Sequence, residues 1–159
     1  LLFAYCVYWW QSFARGYAFE MEIKRDLEAS QIAFTMHDIR SRTERYSQAD
    51  LLVLAMMGDI KTSVYFLQES SKHSLTNDFY ITRLYEQGRA RTLVVFQKSF
   101  AWRRIGGGFA ISGELENVLK LLPRPVQVTE ANTVLIVVTY ETWKNLVKQT
   151  QQSSGGSND

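Results

Sequence analysis

The sequence predicts an α+β, β-dominated domain in which an antiparallel meander forms a lipocalin-like or partly open barrel after an N-terminal transmembrane helix remnant. Three observations predict it. Residues 1–14 carry no charge, residues 62–102 and 133–139 hold runs of β-branched and aromatic side chains, and residues 114–122 show helical spacing. A chain of 159 residues has room for one domain with a sizeable core. It divides into an anchor over residues 1–14, a domain over 15–148 and a tail over 149–159.

A hydrocarbon core takes about 20 apolar residues to cross, so residues 1–14 read as the outer half of a membrane span. Tyr8, Trp9 and Trp10 are the residue types that settle at its headgroup boundary. A core strand and a cleaved signal peptide are the competing readings, the second with Ser12 and Ala14 as the small residues a cleavage site requires. Cys6, the only cysteine, lies in this segment, so the domain needs no disulfide.

Residues 17–24 alternate as a strand does, yet Phe19, Ile23 and Leu27 lie four apart. The good helix formers around Glu28 and Ala29 favour a helix running to about Ser30. Ile32, Phe34 and Met36 then alternate as a strand. Residues 41–47 read as a polar loop or the approach to a helix, and Asp50 is placed to cap the element after it. Residues 51–57 are an apolar run whose periodicity leaves helix and strand open. Residues 62–67, 79–85 and 92–102 read as three antiparallel strands, the last two joined by a turn at Gln87 and Gly88. After the glycines 106–108 come a short strand over 109–112 and a helix over 114–122, stopped by Pro123 and Pro125. Residues 133–139 are apolar on alternate and intervening positions alike, the pattern of a strand covered on both faces. Residues 149–159 offer nothing apolar to bury and read as disordered.

Lys and Arg number 18 against 16 Asp and Glu, a balance that speaks against direct nucleic-acid contact. The glycines at 106–108 lack the lysine and the following helix of a phosphate loop and read as a flexible hairpin turn. No catalytic residue, metal-ligand set or cofactor motif emerges, and the expectation is a non-enzyme. Two histidines, His37 beside Asp38 and His73 in a polar loop, are candidate proton sensors, against the simpler readings of a strand-end residue and a solvated one. Tyr65, Phe79, Tyr85, Phe96 and Trp102 are candidates to line an apolar cavity, against a barrel interior filled by side chains. Unpaired strand edges at Val64 and Phe66, and at Val134 and Ile136, are candidate partner-facing surfaces.

The order of an N-terminal anchor, a meander, a brief helix and a last strand over residues 130–138 resembles the ToxS-type accessory proteins, PsaF/MyfF-like members included. The likeness runs over residues 19–138, with residues 132–135 and 64–84 similar in residues. The resemblance implies a single-pass protein of the bacterial inner membrane with its domain in the periplasm. There it would bind and stabilise the sensor domain of a membrane-bound transcription regulator as a heterodimer, and sense acidity or an apolar ligand such as bile acid or fatty acid. The rival expectations are a structural subunit of an envelope assembly, of the secretion or pilus type, and a stand-alone binder of apolar small molecules.

Overall fold

A computed structural model describes residues 1–36, 51–69, 77–96, 99–107 and 136–155. Helix α1 (Leu2–Ala29) leads into β1 (Thr35–Met36), and β2 (Leu51–Val53) and β3 (Met56–Lys61) come next. A helical turn α2 (Phe66–Glu69) precedes β4 (Phe79–Glu86) and β5 (Arg89–Phe96), then α3 (Ser99–Arg104), β6 (Ile136–Thr139) and α4 (Tyr140–Gly155).

No proline interrupts α1, and its four-residue spacing of Phe19, Ile23 and Leu27 makes one buried stripe, so the helical reading of this segment holds. The helix ends in a Schellman arrangement: the Ile32 N–H donates to the Leu27 carbonyl and the Gln31 N–H to that of Glu28, both at 3.1 Å. Gln31 takes the left-handed conformation there, with φ of 59°.

The sheet has six strands in the order β1-β2-β3-β4-β5-β6. All neighbours are antiparallel except β3 and β4, which run parallel with Gly58 opposite Phe79 and Ile60 opposite Ile81. The apolar run over residues 51–57 resolves into strand, turn and strand. Leu54 and Ala55 both have positive φ, 51° and 59°, as a two-residue hairpin turn demands. Gln87 and Gly88 make the same turn between β4 and β5, at the position the sequence predicts.

Strand alternation sorts the core into two layers. Phe79, Ile81, Val94, Phe96, Ile136 and Val138 face the larger one, packed against the α1 stripe, Trp102 of α3 and Trp143 of α4. Tyr80, Leu84, Leu93, Val95 and Val137 face the smaller one, covered by Val64 and Leu67 with Phe66. Ile136, Val137 and Val138 are all buried, as a continuous apolar run anticipates.

Several expectations are corrected. The sheet is mixed and does not close into a barrel. No helix of the described residues is long and apolar enough to cross a membrane, which overturns the placement as a single-pass inner-membrane protein with a periplasmic domain. The physical reason is that α1 becomes charged from Arg15 onward and then docks on the sheet through Phe19, Ile23 and Leu27. Residues 62–67 are not a strand: Ser63 Oγ accepts the Tyr65 N–H and its carbonyl accepts the Phe66 N–H, so the chain turns instead of extending. Strand β5 is described over Arg89–Phe96, and Phe100 and Trp102, expected to continue it, are helical. Gly106, with φ of 82°, and Gly107 close the C-terminus of α3 rather than forming a hairpin turn. Helix α4 runs to Gly155, across residues assigned to a disordered tail, because Gln151 exchanges two hydrogen bonds with the Ala33 backbone. The elements expected at 41–47, Asp50, 109–112 and 114–122 lie outside the described residues, apart from the hairpin that begins at Leu51.

The ring of Phe79 lies over Gly58, where an added Cβ would come within 2.2 Å of it. Phe79 is wholly buried and cannot swing away. Gly58→Ala is therefore expected to destabilise the fold by about 1–3 kcal/mol, read as a lower urea midpoint with an unchanged slope.

Candidate functional site

Helix α1 is held on the sheet by apolar burial and one polar tie to β4, and two further polar ties fix α4 against α1 and the chain that follows it. Arg83 of β4 pairs with Glu22 and stacks on the Phe19 ring, 4.1 Å from its centroid. One turn on, the Asp26 carboxylate accepts from Tyr140 Oη at 2.7 Å and from Lys144 Nζ at 2.8 Å. Burial raises the Asp26 pKa, but the bonds from Lys144 and Tyr140 outweigh it and hold the group below the usual carboxylate range. The third tie joins α4 to the chain after α1, through Gln151 and Ala33.

Before residue 17 the helix leaves the sheet. Leu2, Phe3, Tyr5, Tyr8, Trp10 and Phe13 are all exposed, Trp10 at 72 %. At about 100° per residue, Leu2, Phe13, Trp10 and Phe3 share one stripe and Tyr8 lies roughly opposite. The projecting part is a ~22 Å apolar rod, at 1.5 Å per residue.

Where the rod meets the sheet a cleft of ≈ 410 Å³ opens, lined by Arg15, Ala18, Phe19, Glu22, Thr62, Ser63, Arg83 and Tyr85. Arg15, Ala18 and Glu22 recur at helical spacing along the α1 wall, and the turn after β3 supplies the two hydroxyls.

A second group of polar side chains, Glu20 of α1 with Asp59, Lys61 and Tyr80 of the sheet, is linked by charge. Glu20 Oε2 is buried without a hydrogen-bond partner among the described residues. Across from it, Asp59 of β3 pairs with Lys61 at 2.9 Å. Burial first, and the Asp59 charge second, push the Glu20 carboxyl up to about 7, against the opposing pull of Lys61. Burial and the Asp59 charge also raise the Tyr80 phenol, which accepts the Asn77 N–H at 3.0 Å. Among the described residues no three His, Cys, Asp or Glu gather to hold a metal ion.

The expected cavity does not assemble. Phe79, Phe96 and Trp102 belong to the larger core layer, with Phe96 and Trp102 ring centroids 5.6 Å apart. Tyr65 is exposed in the turn before α2, and Tyr85 alone of the five lines the cleft. Val64 is buried and Phe66 packs on Tyr80 at 5.1 Å, so neither presents a free strand edge. Ile136 is buried in the chain's own core, though β6 does end the sheet among the described residues. His37, His73 and Val134 lie outside the described residues. Sequence reasoning missed Arg15, Glu20, Asp59 and Arg83. A carboxylate at Glu20, one position from the buried Phe19, was the available signal for the second cluster.

No family model, characterised protein or solved structure matches the chain.

Glu20 gives a pH signature. With a folded pKa of about 7 against 4.5 for the free group, the native state holds more protons between those values, so this group's contribution to stability declines as pH rises through that window. Thermal melts should show the wild type losing more stability from pH 5 to pH 7.5 than Glu20→Gln, which lacks the titration.

Proposed function

We infer that the chain is a non-catalytic interaction subunit of a multi-protein assembly, in which neighbouring polypeptides enclose the first half of α1. The observation that carries this reading is the apolar rod itself, uncharged over residues 1–14 and exposed on opposite sides. A helix that is apolar around its circumference is one that ends up buried, and large exposed apolar patches mark interaction surfaces. Its exposed aromatic and aliphatic groups amount to on the order of 800 Å², one partner's share of a standard interface.

A single flat partner covers the stripe of Leu2, Phe3, Trp10 and Phe13 but leaves Tyr8 on the far side in water. Enclosure by more than one neighbour covers both. This favours a structural subunit, of the secretion or pilus kind, over a one-to-one accessory protein. The accessory reading, stabilisation of a transcription regulator's sensor domain as ToxS-type proteins provide, draws support from β6, whose place at the end of the sheet among the described residues is where a partner strand would add. In either case binding stabilises the partner by mass action.

Sedimentation velocity of the full chain between about 5 and 200 µM tests the assembly reading, a range that detects micromolar association. The wild type is expected to associate with rising concentration. The double variant Phe3→Glu, Trp10→Glu should remain monomeric, with a stability within ~0.5 kcal/mol of wild type because neither side chain joins the core. A wild type that stays monomeric throughout, or a variant that associates equally, contradicts it.

A further inference from the structure

We propose that the cleft at the base of the rod is a binding site for a carboxylate carried on an apolar, preferably aromatic, body. The charge count comes first. Arg15 and Arg83 contribute two cations to the lining and Glu22 one anion, so a single positive charge is left for a ligand. Glu22 already pairs with Arg83, while Arg15 has no ion pair or hydrogen bond among the described residues. A planar guanidinium with its fork unoccupied matches a carboxylate's two oxygens.

The rest of the lining fits the same ligand. Ser63 Oγ accepts the Tyr65 N–H at 3.4 Å, which leaves its proton free to donate. Thr62 adds a second hydroxyl from the same turn. Arg83 is fixed by its stack on Phe19 and by Glu22, so this wall is organised before any ligand arrives. Between and beside the charges, Tyr85, two positions from Arg83 on β4, is 55 % exposed although its strand is rich in buried residues, and with Ala18 of the α1 wall it offers an apolar surface. A volume of ≈ 410 Å³ lies within the range of small-molecule sites, about 300–1,000 Å³. A phosphate dianion would remain half-neutralised there. A monocarboxylate is matched.

The carboxylate can belong to a free small acid or to the C-terminus of another polypeptide, and one titration series covers both. Isothermal titration calorimetry of the full chain uses 3-phenylpropanoate, its neutral amide, inorganic phosphate, and a hexapeptide ending in phenylalanine with a free carboxylate. The acid or the peptide is expected to bind at least about tenfold more tightly than the amide, the discrimination of one charge-assisted pair. Stronger binding of the free acid assigns a small-molecule ligand, and stronger binding of the peptide assigns a polypeptide terminus. Arg15→Gln should weaken the preferred ligand by about tenfold or more without lowering the melting temperature, since the side chain has no structural partner among the described residues. Tyr85→Ser should weaken 3-phenylpropanoate and leave the much weaker binding of acetate unchanged. Equal affinity for acid and amide, tighter binding of phosphate, or an Arg15→Gln protein that binds as wild type would overturn the proposal, as would no binding of either carboxylate at 10 mM, roughly the weak limit for a single ion-paired contact.

Discussion

The burial of Phe19, Ile23 and Leu27 against the sheet is the interaction on which the rest of the structure depends. Each side chain leaves water almost completely, a gain of about 1.5–3 kcal/mol apiece. The polar ties on its flanks add less energy than direction. The Asp26 carboxylate is partly exposed and its pairing with Lys144 is screened, but together with Arg83 and Glu22 it fixes the rotation of α1 about its axis. That rotation decides which side chains point down and which are left to water.

Three features arise from one docking event. Because α1 is unbroken from Leu2 to Ala29, anchoring its second half aims its first half away from the sheet as a rod. The angle at which it departs leaves the cleft between Arg15 and the turn after β3. The same close approach buries the Glu20 carboxyl within the influence of the Asp59 charge, where it holds its proton to near neutrality. A rod, a cleft and a proton-retaining carboxyl thus share the helix that carries them.

Local chemistry was legible where it acts within a few residues. The four-residue spacing in α1, the Gln87 and Gly88 turn, and the doubly buried β6 run are each set by neighbours in sequence. Strand partners were less legible. The parallel pairing of β3 with β4 joins segments separated by residues 62–78, and no alternation pattern distinguishes parallel from antiparallel there. Aromatic richness over 62–67 and at Phe100 and Trp102 signalled strands, yet residues 62–66 turn at Ser63 and residues 99–104 form a helix closed by the glycines after Arg104. The uncharged start read as a bilayer segment because apolar character alone does not say what covers it. The cleft was invisible because Arg15, Thr62 and Arg83 meet only once α1 is docked.

Hydrogen–deuterium exchange read at peptide resolution in dilute and concentrated protein tests the division of α1 most directly. The account predicts slow exchange at residues 19–27 in both samples, and fast exchange at residues 3–13 in the dilute sample that slows on concentration. Equal protection of the two segments, unchanged between the samples, would contradict it.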